Sequence, residues 1–415
     1  MEKEKKRIVI LGGGFGGLYT YKSLYREFSR DDIDVTIVNR TNYFLFTPLL
    51  HEVATGSVAH HQVVESIRQL IYRSGARLHV ADVMSVDSER QIVKTSIAEI
   101  PYDILVVAMG ATTNFFNAPG AQENSLVLKD LSDAIKLRTT FIEAFEKASE
   151  MKDEAARRAE LSFAVIGGGA TGVELASEAA DLFTDTFATY YKGIIDFKDV
   201  SLYLVNLAPD VLSMFDPVLR EKALTVLRRS GVNVMLNTPV KEVRKDGLVL
   251  TDGTVLAATH VIWTAGVKPN PPMFTNPVPQ DKGGRVIVTP TLQVESCKNV
   301  FVIGDMASFA GPDGRPLPML AQVAVKQGLH TGRNIKRLVQ GKELLPFVYV
   351  SEGELASLGH WQAVAKIDGV RFSGPFAWFI WRTVYLFKFL SGSKKFKIVI
   401  DWTMNIFYPR DITKA

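Results

Sequence analysis

The sequence predicts an α/β protein of two nested Rossmann-like dinucleotide-binding domains plus a C-terminal membrane-associated helical segment. Paired glycine fingerprints and an aromatic, basic tail carry that expectation. Gly12-x-Gly14-x-x-Gly17 follows the apolar run Arg7-Ile-Val-Ile-Leu11, and Gly167-x-Gly169-x-x-Gly172 follows Phe163-Ala-Val-Ile166. In each, a buried parallel strand turns tightly into a helix. The first Gly allows the turn, the second lets backbone approach a pyrophosphate, and the third lets the helix pack on the strand. Phosphates then rest on a helix N-terminus, where free N–H groups and the dipole favour an anion. One such pattern is common, whereas two in strand–turn–helix context imply two dinucleotides in one chain.

The first unit opens with a strand over 7–11, a helix over 15–28 and a second strand over Asp34–Val38. Strands are expected over Arg77–Val86 and Gln91–Thr95, before the buried run Ile104–Ala108 that closes on Met109-Gly110. The stretch 131–161 holds Lys and Glu at helical spacings and reads as a solvated connecting helix. The second unit repeats the plan: strand 163–166, a helix from Thr171, strand Ser201–Val205, a strand pair near Val240–Leu250, and a closing strand from His260 to Gly266. A further strand, from Lys298, ends in Gly304-Asp305 and puts a carboxylate at the carboxyl edge of a sheet, where doubly wound folds bind ligands. The second domain is therefore expected inside the first. Residues 1–120 and 275–345 form one dinucleotide domain, 121–274 the inserted one with its connecting helix, and 346–415 the membrane-anchoring domain.

With 415 residues, 47% hydrophobic and 22% charged, the chain is neither a disordered protein nor a polytopic membrane protein. The net charge of +4 is unevenly placed, because nine Lys/Arg stand against three Asp from Lys366 onward. A basic segment rich in Trp and Phe points to an anionic lipid surface. Its aromatics come in apolar blocks rather than singly between basic residues, which argues against nucleic acid. Phe376–Leu390 and Phe396–Tyr408 read as two helices too short to span, since a span needs roughly 20 uninterrupted apolar residues. The second is amphipathic, with Lys397, Asp401, Asn405 and Tyr408 on one face and Ile398, Val399, Trp402, Ile406 and Phe407 on the other. Lys394 and Lys395 sit at its start, placed for lipid headgroups. A subdomain packed on the core, or a homodimer interface, is the alternative use of that apolar surface. The single cysteine, Cys297, reads as a small buried or half-buried residue and excludes a disulfide, a Cys-ligated iron–sulfur cluster and a redox-active pair. His51, His60, His61 and His360 show no metal-ligand spacing, so no metal is expected. The N-terminal run Met1-Glu-Lys-Glu-Lys-Lys-Arg7 carries no apolar signal region, so a cytoplasmic location is expected.

These features resemble the two-dinucleotide-binding flavoprotein oxidoreductases. Within that superfamily the chain is most similar to the type II NADH:quinone oxidoreductases, the single-subunit, non-pumping NADH dehydrogenases of respiratory electron transport. The specific parts are Asn42-Tyr-Phe-Leu-Phe-Thr-Pro-Leu-Leu-His-Glu-Val-Ala-Thr-Gly56, Gly167-Gly-Gly-Ala-Thr-Gly-Val-Glu-Leu175, Ala321-Gln-Val-Ala-Val-Lys-Gln-Gly328 and the tail. The resemblance implies FAD in the first unit, against Gly12, Gly14, Phe15, Gly16, Gly17, Asn39 and Arg40, with Thr47-Pro48 near the isoalloxazine and Val83 beside the adenine. It also brings Ala108, Gly110, Gly304, Ala321 and Gln322 to that site, with Asp305 on the ribityl chain. NADH is implied in the second unit, against Gly167, Gly169, Thr171, Gly172, Asn206 and Gly266, with Glu174 close to the nicotinamide end as a catalytic candidate. A membrane quinone, menaquinone or ubiquinone, is implied beside Gln322, Lys326, Gln327 and Arg382. The expected location is peripheral (monotopic), on the cytoplasmic face of the cell membrane.

Three positions depart from the family pattern. The acid that usually ends the second strand and holds the ribose 2′-OH is Asn39 in the first unit and Asn206 in the second. An amide oxygen still accepts that bond but lacks the charge that repels a 2′-phosphate. The family's Ala-Gln-x-Ala-x-Gln pattern has Lys326 at its last position, followed by Gln327. The resemblance implies that hydride passes from NADH to the flavin and two electrons then pass to the quinone. One cysteine excludes the disulfide and sulfide:quinone reductases of the superfamily. A soluble NAD(P)H oxidase, a ferredoxin-reductase-like flavoenzyme and a redox-sensing flavoprotein like apoptosis-inducing factor are the alternatives that sequence leaves open.

Overall fold

The computed structural model describes residues 5–312, 314–408 and 410–413, with the side chains of 405–407 outside the description. The chain forms two compact units. One comprises the chain up to Phe44, Glu65–Thr112 and Val267–Ser351; the other comprises Leu45–Val64, Thr113–Gly266 and the chain from Glu352.

The first unit is built on a six-stranded sheet in the order Gln293–Val294, Cys297–Val302, Ile104–Val107, Lys6–Leu11, Ile33–Asn39, Arg77–Val80. The fingerprint strand Lys6–Leu11 lies inside the sheet, parallel to both neighbours, with Leu11 opposite Val38 on one side and Val107 on the other. Its interior residues are buried, as an all-parallel strand covered on both faces requires. The helix Phe15–Glu27 runs along the helix Ala321–Val339. Gly328 and Gly332 let the two backbones approach, since a Cβ on either would meet Gly16 O or the Ser23 side chain. The run 77–86, expected as one strand, is two. Arg77–Val80 closes the edge of the six-stranded sheet, whereas Val83–Asp87 joins an antiparallel meander with Ile92–Thr95 and Glu99–Pro101. The break falls where Ala81 N donates to Asn39 O.

The second unit repeats the plan with a parallel sheet in the order Leu126–Val127, His260–Trp263, Ser162–Ile166, Ser201–Val205, Asn233–Met235. The fingerprint strand Ser162–Ile166 is again internal, with Ile166 opposite Val205 and Trp263. The stretch 131–161 is two helices, Leu131–Glu150 and Glu154–Glu160, and the Asp153 carboxylate caps the second by accepting from Ala156 N at 3.0 Å. The first is not a solvated connector. Phe141 and Phe145 are buried against Phe163, Phe183 and Phe187, with the Phe145 and Phe187 rings 4.3 Å apart. Lys and Glu occupy only its outer face.

The chain from Glu352 begins with a three-stranded antiparallel sheet, Glu354–Ser357, Ala363–Ile367 and Val370–Ser373, that the sequence reading passed over. Its signal was present: Asp368-Gly369 takes φ of +49° and +83°, the positive values a tight hairpin turn needs. Helices Pro375–Lys388 and Gly392–Phe407 follow. Among the described residues no helix is long and apolar enough to cross a membrane. The faces of the second helix differ from expectation. Ile398 and Trp402 turn inward, while Phe396, Val399, Ile400 and Met404 are exposed. Asn405, Ile406 and Phe407, read as part of its two faces, have side chains outside the described residues. Lys394 does not stand free at the helix start, since its Nζ donates to His61 O.

Candidate functional site

Each fingerprint forms a cradle with the same local chemistry. In the first, Gly12 N donates to Val38 O at 2.8 Å and Gly13 N to Asn39 Oδ1 at 2.9 Å. A side chain at Gly17 would drive its Cβ into the Gly12 carbonyl, while Gly14 faces open space at the start of the helix. In the second, Gly167 N donates to Val205 O at 2.9 Å and Gly168 N to Asn206 Oδ1 at 2.9 Å. Gly172 abuts the Gly167 carbonyl and Gly169 faces open space. A tight turn, a glycine with nothing above it and a helix N-terminus beside it fit a dinucleotide pyrophosphate in both places.

The two asparagines that depart from the usual acid now have a physical role. Each amide oxygen accepts an N–H of its own fingerprint, and each amide nitrogen donates to the following loop, Asn39 to Thr41 O at 2.9 Å and Asn206 to Asp210 O at 2.8 Å. A carboxylate can make the first bond but not the second. Asparagine therefore ties two loops where an acid would tie one. The same residue in the same place in both units marks this as a design of the chain.

Around the first cradle, Ala108 is buried under Gly12 and Gly16, Arg40 is exposed beyond Asn39, and Gly110 and Val83 are half-buried. Phe15 stands edge-on to Phe44, centroids 5.0 Å apart. Gly304-Asp305 begins a short 3₁₀ turn, and Gly304 N donates to the Gln327 amide oxygen at 2.7 Å. Gln327 is fully buried and braces the Gly304-Asp305 turn from behind. Ala321 and Gln322 open the helix Ala321–Val339 half-buried, and Lys326 Nζ donates to Val350 O at 2.7 Å. In the second unit Thr47 lies in a 3₁₀ turn, Thr47–Leu49, Thr171 is exposed on the first turn of the fingerprint helix, and Gly266 O accepts from Asn114 N at 3.0 Å.

Glu174 lies on the helix Ala170–Asp181 with Glu178 and Asp181, at spacings of four and three residues that put all three on one face. Sequence reading singled out Glu174 alone. Three acids at helical spacing in an otherwise apolar, Ala-rich helix were the signal for the rest. Glu174 and Glu178 are buried and Asp181 is half-buried. Glu174 Oε1 accepts from Ser357 N at 3.1 Å, Glu178 Oε2 accepts from Ser57 Oγ at 2.9 Å, and Asp181 Oδ2 accepts from His360 N. A third buried acid, Glu52, accepts from Trp402 Nε1 at 2.8 Å and lies 3.9 Å from Arg382. Arg382 is itself mostly buried, its guanidinium 3.9 Å from the Trp378 ring centroid and 4.5 Å from that of Trp402.

Burial raises most of these acids, because a low-dielectric interior disfavours the charged form. It pushes Glu174 up to about 8, Glu52 to about 7 and Asp181 to about 7. Glu178 is the exception: burial works to raise it, but Arg410, the Ser57 hydroxyl and Arg382 hold it below the usual carboxylate range. Burial lowers His51 to about 4. Burial thus favours the neutral form of both groups across the 3.7 Å approach of His51 Nδ1 to Glu174 Oε2. His51 Nε2 and the Arg382 Nε and Nη1 atoms are buried with no hydrogen-bond partner among the described residues, which suits enclosed water. No cluster of His, Cys, Asp and Glu that would hold a metal ion occurs among the described residues.

Paired dinucleotide cradles on nested Rossmann units, with no second cysteine, define a flavoprotein oxidoreductase with two nucleotide sites. Residues 6–328 match the family model of the pyridine nucleotide-disulphide oxidoreductases, and residues 352–411 that of the NDH2 C-terminal domain. The chain is 32% identical to the type II NADH:quinone oxidoreductase Ndh of Mycobacterium tuberculosis, over 98% of this chain and 89% of that one. It is 31% identical to the type II NADH:quinone oxidoreductase of Staphylococcus epidermidis, over 92% and 95% of the two chains. The fold superposes on that of Plasmodium falciparum NDH2, solved in complex with NADH, with a TM-score of 0.92, 23% identity and coverage of 99% and 100%. The chain belongs to the type II NADH:quinone oxidoreductase family.

Proposed function

We propose that the protein carries two electrons from NADH through FAD to a membrane quinone, menaquinone or ubiquinone, while seated peripherally on an anionic lipid surface at the cytoplasmic face and pumping no protons. Its family makes it an NADH:quinone oxidoreductase with FAD and NADH as its nucleotides. The observation that carries the choice of acceptor is the single cysteine, which leaves no thiol pair to receive electrons on this scaffold. Bound FAD supplies the two-electron chemistry. The first cradle holds its pyrophosphate, Asp305 its ribityl chain, and the second cradle the pyrophosphate of NADH. Gln322 and Lys326, on the first two turns of their helix, serve the quinone side. The net reaction, NADH + H⁺ + quinone → NAD⁺ + quinol, consumes one proton per turnover. Glu174, protonated at pH 7 by its burial, stores a proton in the unit that binds NADH.

In proteoliposomes, NADH oxidation should require added quinone, and collapsing the proton gradient should leave its rate unchanged. Oxidation that proceeds equally well without quinone would favour an oxidase instead.

Gln322→Ala should leave flavin reduction by NADH nearly intact and slow reoxidation by quinone about 10- to 100-fold, the loss of one or two well-placed hydrogen bonds. Rapid mixing of each half-reaction separates the two, and equal loss in both would assign Gln322 to flavin support.

Asn206→Glu should raise the preference for NADH over NADPH about tenfold, by placing a charge where the 2′-phosphate would lie; tenfold corresponds to roughly 1.4 kcal/mol. The substitution also forfeits the bond to Asp210 O, so kcat/KM for NADH should itself fall. An unchanged NADH/NADPH ratio would mean that the ribose is read elsewhere.

A further inference from the structure

Arg410 stands 232 residues beyond Glu178 in sequence, yet its Nη2 lies 2.9 Å from Glu178 Oε2 and its Nη1 donates to the Glu178 carbonyl oxygen at 3.2 Å. The Glu178 side chain is buried at 4% exposure and that of Arg410 is largely covered at 13%. Such a pair is not a surface ornament, because removing one partner leaves an uncompensated charge in the interior. Among the described residues the row holds four acids, Glu52, Glu174 and Glu178 buried and Asp181 half-buried, against two arginines, Arg382 and Arg410, while burial drives His51 toward its neutral form. Four acids against two arginines favour leaving some of the acids protonated. The placement of the arginines decides which. Arg410 makes a close two-point contact with Glu178, whereas Arg382 is held by tryptophan faces 3.9 Å from Glu52.

We propose that Arg410 is a positioning residue for the reaction's proton: by clamping Glu178 as the fixed anion of the buried row, it keeps the exchangeable proton on Glu174. The inference rests on the proposed role of Glu174 and adds a residue from the chain beyond the two C-terminal helices. Burial is the main cause that raises Glu174, and an anion at 178, one helical turn away, adds to it through like-charge repulsion, as it does at Asp181 and Glu52. The groups facing the row are accounted for by element. The short helix Leu50–Ala54 gives His51 and Glu52, and the turn after it gives Ser57. The fingerprint helix gives the acids themselves, and the turn that continues it gives Asp185. The chain from Glu352 gives His360, Arg382, Tyr385 and Arg410.

The sign follows. Replacing Arg410 by a neutral residue lets Glu178 take a proton, the repulsion on Glu174 disappears, and Glu174 releases its proton at lower pH. The alkaline limb of quinone-dependent flavin reoxidation should then move down by about one pH unit, a tenfold loss of rate above the new midpoint. The measurement is stopped-flow reoxidation of the NADH-reduced holoprotein by a water-soluble quinone from pH 6 to pH 9.5. Arg410→Gln, and the double variant Arg410→Gln/Glu178→Gln that leaves no buried charge unpaired, should both show the shift. Arg410→Lys should keep the wild-type limb. The readout is where the limb falls, not its height, so a variant that is merely less stable does not mimic the effect. Glu174→Gln separates the two levels of the argument. If the limb persists in Glu174→Gln, the proton role of Glu174 is wrong. If Glu174→Gln abolishes the limb but the double variant leaves it at the wild-type pH, the role assigned to Arg410 is overturned.

Discussion

Phe396→Glu/Ile400→Glu/Met404→Glu will strip the protein from anionic liposomes. All three side chains stand exposed on the helix Gly392–Phe407. Burying each in the lipid boundary contributes roughly 1.5–3 kcal/mol, so the triple change removes about 4.5–9 kcal/mol and lowers partitioning by about three orders of magnitude or more. The new carboxylates also meet a negative surface. Flotation in a density gradient reads the result. The three positions avoid Ile398 and Trp402, which face inward, so the fold and the reduction of small water-soluble acceptors should survive. Deleting the helix outright is a poorer test, because it removes the Trp402 bond to buried Glu52 and leaves that carboxyl without its donor. Full flotation of the triple variant would place the membrane-facing surface elsewhere or dismiss it.

Gly17→Ala and Gly172→Ala should fail in opposite ways. Either methyl group collides with a backbone carbonyl, that of Gly12 or of Gly167, and neither partner is a flexible side chain that can move aside. Gly17→Ala is expected to purify colourless, having lost FAD. Gly172→Ala is expected to stay yellow and to bleach with dithionite, but to reduce at least a hundredfold more slowly with NADH, a loss of roughly 3 kcal/mol or more in transition-state binding. Absorbance spectra before and after each reductant suffice. A yellow Gly17→Ala protein, or a Gly172→Ala protein that NADH bleaches at the normal rate, would mean that the fingerprints serve other ligands than those assigned.

What sequence made legible was local. A buried apolar run, a Gly-x-Gly-x-x-Gly turn and a following helix are specified within about 25 residues, and both cradles form where that pattern occurs. The run 77–86 misled because apolar residues continue on both sides of Ala81-Asp82, and only pairing to different sheets separates the two strands. The helix Leu131–Glu150 was read from its charges, while Phe141 and Phe145 on the opposite face carried the packing. The buried acid row was the least legible part. Whether a glutamate is a solvated surface residue or a neutral acid in the interior depends on partners far along the chain, Trp402 for Glu52 and Arg410 for Glu178. Asn39 and Asn206 read as departures from an acid until the loop bonds of both ends of each amide were in view.

Anaerobic stopped-flow spectroscopy of the liposome-bound holoprotein reads whether electrons from NADH leave the flavin for a membrane quinone. Flavin absorbance should bleach on mixing with NADH and recover fully on a second mix with a long-chain quinone, at a rate no slower than steady-state turnover. A flavin that NADH leaves unchanged, or a long-lived NADH-reduced complex that the quinone does not reoxidise, would mean that the protein does not pass electrons from NADH to quinone.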